Sequence, residues 1–290
     1  MVAVWICLCA FLNCLGWLLS ALHMLNRTGY LVAFALAAAL WAGIQVNRGC
    51  SVIPTVRWRP RWRRWRRGFP LLFLCLAGLA ILGGIIHAPS NYDGLAYRVP
   101  RSLHWLAAEQ WHWIHTEFPR LNTRATGFEW LSTPLIAFTQ SDRIIFLINA
   151  INFLFLPGLF FSVLSRMGVK RRVAAIWMWL APTGYCYLLQ AGSIGNDMLG
   201  GFYALAAMSF ALRSRTSQSP KDFWISILAA GLLSSGKTSN LPLLLPWAVA
   251  IAPAWRTVLR RPLATACLCL IAACSSFLPI AIINTKHVGD

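Results

Sequence analysis

Acidic side chains are scarce in this chain: eight Asp and Glu stand against 26 Lys and Arg in 290 residues. All charged residues together make up 12% of the sequence, against about 25% in an ordinary soluble domain, and 58% of it is hydrophobic. That shortage, with a mean hydropathy of +0.60, excludes a soluble globular protein. Disulfide chemistry is excluded too. Cys7, Cys9, Cys14, Cys75, Cys186, Cys267, Cys269 and Cys274 fall inside apolar runs and Cys50 at the end of one. The long polar loop has no cysteine, and the C-x-C pairs point to different faces of a helix, which is poor metal geometry. A basic leader is also missing: the first apolar run, Val2–Leu22, is followed by Arg27 and reads as a retained span, not a cleaved signal.

What is present is a series of apolar runs near the roughly 20 residues that cross a bilayer as a helix. Spans are expected at about 2–22, 29–47, 69–87, 143–165, 173–190, 198–212, 223–235, 240–254 and 263–284. The fold class expected is therefore an all-α polytopic membrane protein of about nine transmembrane helices. The stretch 223–254, whose short halves meet at Ser234-Ser235-Gly236-Lys237-Thr238-Ser239-Asn240, reads either as two tilted helices or as a broken re-entrant pair.

The net charge of +18 raises nucleic-acid binding, but its distribution favours a membrane. Arg57, Arg59, Arg61, Arg63, Arg64, Arg66 and Arg67 interleave with Trp58, Trp62 and Trp65 between two apolar runs, a composition suited to anionic headgroups and the interface. With 48–67 in the cytoplasm, alternation puts 166–172, 213–221 and 256–261 inside as well, and these loops hold 18 of the 26 basic residues. The acids Asp93, Glu109, Glu117, Glu129, Asp142, Asp197 and Asp290 fall outside, leaving Asp222 inside. Both tallies obey the positive-inside rule.

The first large outer loop, about 88–142, carries most of the polar chemistry. From Val99 onward, Val99, Leu103, Leu106, Gln110 and Trp113 share one helical face, and Arg98, Arg101, Trp105, Glu109 and His112 the other. That periodicity predicts an amphipathic helix lying on the membrane surface. Asp93, with Arg98, Arg101 and His104, reads either as a general base beside a phosphate pocket or as a helix cap with headgroup-binding arginines. Asp197 reads as an N-cap or as a group facing a polar cavity. Lys237 binds phosphate, pairs with an acid or snorkels. Gly231 to Thr238 matches the P-loop pattern literally, but no strand precedes it, so it is read as coincidence. His115 and Glu117 lack a third partner, so no metal ligand is assigned.

The run Asn91-Tyr92-Asp93-Gly94-Leu95-Ala96-Tyr97-Arg98-Val99-Pro100-Arg101-Ser102-Leu103-His104-Trp105 resembles the first outer loop of bacterial GT-C glycosyltransferases, relatives of dolichyl-phosphate-mannose protein mannosyltransferases and of the lipid A aminoarabinose transferase. Arg98 stands where many members have histidine. The likeness continues through Phe118-Pro119-Arg120, Glu129-Trp130 and Gly195-Asn196-Asp197 to Lys237. It implies two units: 1–68, two spans with a cytoplasmic loop, and a GT-C-like module 69–290 that is expected to be incomplete at its C-terminus. It implies a transferase of the bacterial inner membrane, its site facing the periplasm or exterior, moving sugar from a polyprenyl-phosphate donor to a lipid, glycan or protein acceptor. Asp93 would be the base and Asp197 or Glu129 would position substrate, while Arg98, Arg101 and Lys237 would compensate phosphate charge. His104 is counted with the substrate-binding residues. No cofactor is required, a divalent metal is left open, and the partners are membrane lipids, not nucleic acid. A transporter or flippase of an anionic lipid-linked substrate, or a non-catalytic envelope-complex subunit, are the alternatives.

Overall fold

The computed structural model describes residues 1–47, 68–217 and 219–289. The Arg/Trp-rich segment 48–67, with Cys50, and Asp290 lie outside the described residues, and so do the expectations that rest on them. Among the described residues every regular element is helical. The helices are α1 (Val2–Ala21), α2 (Arg27–Asn47), α3 (Gly68–Ile86), α4 (Val99–Ala107), α5 (Gly127–Thr139), α6 (Phe146–Arg166), α7 (Arg171–Leu180), α8 (Tyr185–Ala191), α9 (Asp197–Ser217), α10 (Pro220–Gly236), α11 (Leu244–Ile251), α12 (Pro262–Cys274) and α13 (Leu278–His287).

Each apolar segment of the sequence is thus helical, but not each is a complete span. Four helices among the described residues are long and apolar enough to cross a membrane: α1, α2, α3 and α6. The pair α12 and α13, bent by 52°, makes a fifth if it is one broken span. The segment 173–190 is interrupted by a short 3-10 turn at Ala181–Thr183, where Pro182 removes a backbone donor. The C-terminal half of 223–254 begins as a 3-10 turn containing Pro242, Thr238–Leu243. The central helices α9 and α10 are largely enclosed. Met198, Leu199, Phe202, Tyr203, Ala206 and Ala207 of α9 pack with Leu228, Ala229, Leu232 and Leu233 of α10, and Ser226 Oγ donates to the Ala207 carbonyl at 2.8 Å. The N-terminal helix α1 joins the same core through Ile6, Cys9, Ala10 and Leu12.

The loops sort to two ends of the bundle. At one end the Trp111 N–H donates to Ser20 Oγ (2.7 Å) and the Leu25 N–H to the Glu109 carbonyl (2.9 Å), joining the α1–α2 turn to the segment 88–142. The C-terminal helix α13 reaches that segment through Asn284 Nδ2, which donates to the Thr123 carbonyl at 3.1 Å. At the opposite end Arg213 meets Asp222 (3.0 Å), and Trp224 Nε1 donates to Thr265 Oγ1 (3.1 Å). The basic loops 166–172, 213–221 and 256–261 therefore share one end, and Asp93, Asp197 and Glu129 the other.

The amphipathic helix differs from its sequence reading in length and orientation. It ends at Ala107, so Gln110 and Trp113 lie beyond it. Its arginine face is turned into the protein: Arg98, Arg101 and Trp105 are buried, while Leu103 is half exposed. The reason lies on α5. Glu129 supplies a fully buried counter-charge, which makes burial of two guanidinium groups tolerable, and Trp130 stacks on Trp105 with centroids 4.8 Å apart.

Candidate functional site

The site is assembled from a widened turn, a loop and a helix break. Gly94–Arg98 forms a π-helical turn leading into α4, and such turns recur where a side chain must be re-aimed. Asp93 precedes it but does not cap it. That task falls to Asn91, whose Oδ1 accepts the Gly94 N–H at 3.0 Å, leaving the Asp93 carboxylate for other contacts. Gly94 sits close against the α8–α9 loop: a Cβ there would press on Ile194 Cδ1, and any larger residue requires the Ile194 side chain to move.

That loop is fixed by Asn149 of α6, whose Nδ2 donates to the carbonyls of Ser193 (2.8 Å) and Gly195 (2.5 Å). Asn196 then donates through Nδ2 to the Gly236 carbonyl at the end of α10. Here the P-loop-like pattern is settled by geometry: Gly231 to Gly236 form the last turns of a helix, and Lys237 is extended, at φ −164° and ψ 134°. The glycines thus lie at the C-terminal end of an α-helix, not on a loop that opens one as a P-loop requires.

Between these elements lies a cleft of ≈ 200 Å³, lined by polar Asp93, Tyr97, Arg98, Arg120, Arg124, Asn196, Lys237 and Thr238. Four cations and one carboxylate line it. Asp93 is partly exposed, with Oδ2 4.0 Å from Arg98 Nη2 and Oδ1 3.8 Å from Arg120 Nη1. Arg98 is 3% exposed. Its Nη2 donates to the Tyr97 hydroxyl at 2.9 Å, its Nη1 stands 3.6 Å from Glu129 Oε1, and its Nε and Nη1 have no hydrogen-bond partner. These two nitrogens are enclosed without a hydrogen bond, a desolvation cost that the nearby Glu129 carboxylate offsets in part. Burial pushes the Tyr97 phenol up from its ordinary value; Arg98 opposes the shift, while Glu129 and Asp93 reinforce it.

Behind the wall, Arg101 ties three elements together. Its Nε donates to Glu129 Oε1 (3.0 Å), its Nη1 to the Arg124 carbonyl (3.0 Å) and its Nη2 to the Ala125 carbonyl. Burial lowers the Arg101 guanidinium from its ordinary value, and the Glu129 carboxylate pulls it back. The loop carrying Arg120 is closed by Asn122, which accepts the Ile114 N–H at 2.9 Å and donates to the Ile114 carbonyl at 2.8 Å.

Of the residues expected from sequence, Asp93, Arg98 and Lys237 line the cleft. Arg101 and Glu129 lie beneath it, fully buried. Glu129 thus faces Arg101, not the open cleft. Asp197 stands at the mouth, paired with Lys237 at 2.8 Å. His104 is exposed on the far side of α4, edge-on to His112 with centroids 6.3 Å apart, and does not line the cleft. Arg120, Arg124, Asn196 and Thr238 also line the cleft; Arg120 and Asn196 fell within the motifs of the resemblance, and Thr238 within the P-loop-like run. One carboxylate stands among the four cations of the cleft, and no group of three or more His, Cys, Asp or Glu that could hold a metal ion occurs among the described residues. Compared with family models, curated proteins and solved structures, the chain matches none.

Proposed function

We propose that this is a GT-C-type membrane glycosyltransferase that moves a sugar from a polyprenyl-phosphate donor to an acceptor hydroxyl. The observation that carries the reading is the cleft: a partly exposed carboxylate set among four cations at the end of a helical bundle. Asp93 accepts the acceptor proton as the hydroxyl oxygen attacks the anomeric carbon. The bond from that carbon to the phosphate oxygen breaks, and its electron pair leaves with the lipid phosphate. Arg98, Arg120, Arg124 and Lys237 meet the charge that develops there, the type of stabilisation that contributes most to catalysis in water-poor sites. Tyr97, Asn196 and Thr238 offer hydrogen bonds to sugar hydroxyls.

The nine apolar segments are then nine crossings, some bent or tilted around the enclosed α9 and α10. The basic loops 166–172, 213–221 and 256–261 favour the cytoplasm, so the cleft faces the periplasm or exterior, where the donor's sugar is presented.

Purified protein in nanodiscs, given radiolabelled polyprenyl-phosphate sugars and envelope lipids or glycans as acceptors, tests this. The Asp93→Asn protein should insert normally and lose transfer by about 10²–10⁴-fold, the range of a general base. Undiminished transfer by that variant removes the proposed chemistry. Passage of the unmodified donor across liposomes in place of transfer would make the chain a flippase.

A further inference from the structure

Lys237 faces two ways. Its Nζ lies 2.8 Å from Asp197 Oδ1, yet the same residue lines the cleft, while Asp197 does not. We infer that Asp197 competes with the substrate phosphate for Lys237, so that each phosphate that enters breaks this ion pair and each that leaves restores it. The inference rests on the transferase reading above and concerns how tightly the site holds its lipid phosphate.

Three observations support an exchangeable pair. Both side chains are substantially exposed, Lys237 by 43% and Asp197 by 58%, and such solvated pairs hold together only weakly. The lysine sits on an extended break between α10 and the 3-10 turn, after Gly236, and its long stem swings readily. Asp197, finally, is not stranded when the lysine departs. Gln190 Nε2 remains at 3.3 Å from its Oδ2, and its carboxylate sits in the first turn of the long helix α9, where negative charge is stabilised. The Arg101–Glu129 pair has none of this freedom, because both partners are fully buried.

The role assigned to Asp197 is therefore to limit affinity, not to touch the reacting sugar. It lowers the hold on the spent lipid phosphate and returns the lysine to its resting partner, which speeds product departure.

The test is a titration of polyprenyl phosphate, the product itself, against the full chain in nanodiscs. Asp197→Asn should bind it about two- to fivefold more tightly, the most that an exposed pair can withhold. Lys237→Met should bind it more weakly, and the double variant should match Lys237→Met, since the carboxylate acts only through the lysine. In transfer assays Asp197→Asn should show stronger inhibition by added product. Equal or weaker binding by Asp197→Asn, with wild type still binding, overturns the exchange alone. A wild-type protein that binds no polyprenyl phosphate overturns the transferase reading and the exchange together. Circular dichroism of each variant confirms that the bundle is intact.

Discussion

Glu129 gives the most direct measure of how the cleft is held. Its carboxylate is the counter-charge for two buried guanidinium groups, with Oε1 3.0 Å from Arg101 Nε and 3.6 Å from Arg98 Nη1. Replacing it by alanine leaves both arginines enclosed without an anion and opens a void beside Trp130. Removal of one partner of a buried pair costs about 3–5 kcal/mol, which is about one hundred- to several thousand-fold in the folded-to-unfolded ratio at roughly 1.4 kcal/mol per decade. Glutamine keeps the shape and one acceptor oxygen but not the charge, so Glu129→Gln should fall between alanine and wild type. Arg101→Met combined with Glu129→Met should recover part of the loss, because two matched apolar side chains replace a matched ion pair. Arg101 also holds the Arg124 and Ala125 carbonyls, so that recovery is incomplete. Chemical unfolding in detergent micelles, followed by tryptophan fluorescence, reports all three. A loss below about 1 kcal/mol for Glu129→Ala, the scale of an exposed pair, would refute the view that this network is a dry support for the cleft wall.

Other consequences are more local. Arg98→Lys keeps one charge but loses the planar set of donors, so binding of polyprenyl phosphate should weaken about tenfold or more while folding is nearly unchanged; titration in nanodiscs measures it. Gly94→Ala drives a Cβ into Ile194 and should cut transfer sharply while donor binding at Arg124 and Lys237 persists, read as a fall in kcat larger than any rise in KM. The raised Tyr97 phenol predicts a sign in alkali: its folded value lies above the unfolded one near 10, so stability is full below pH 10 and declines as pH climbs toward the folded value. Tyr97→Phe should flatten that part of the alkaline unfolding curve.

The helical class and the grouping of basic loops at one end were legible in the sequence because both follow from one-dimensional patterns, hydropathy and charge sign. Asp93, Arg98 and Lys237, which line one cleft, were legible as candidates because ionisable groups in an apolar chain are few enough to notice. The orientation of α4 was not. Periodicity separates Arg98, Arg101 and Trp105 from Val99, Leu103 and Leu106, but it does not say which face is buried. That depended on Glu129, located 28 positions after Arg101, on a helix whose pairing with α4 is a tertiary fact. Arg124 carries no local signature and enters through its place beside the Arg101 anchor; Thr238 was visible only in a run read as coincidence, and it enters through the break after Gly236. The count of complete spans was blurred for a related reason. Buried helices such as α9 need not be uniformly apolar, and proline at 182 and 242 interrupts helices that hydropathy alone reads as continuous.

Charge asymmetry explains the arginines of the basic loops, but it does not explain those of the cleft. The positive-inside rule accounts for cations at the end that holds 166–172, 213–221 and 256–261, and at the opposite end it favours few of them. Arg98, Arg120, Arg124 and Lys237 gather at that opposite end, and Arg98 is 3% exposed, its Nε and Nη1 without a hydrogen bond although Nη1 stands 3.6 Å from Glu129 Oε1. Headgroup binding requires exposed cations, not a buried one. A stability role would require its donors to be satisfied, since unpaired buried nitrogens cost rather than stabilise. On the transferase reading proposed above, the lipid phosphate of the donor would offset this gathered positive charge without a nucleotide fold, with Asp93 beside it in the same cleft.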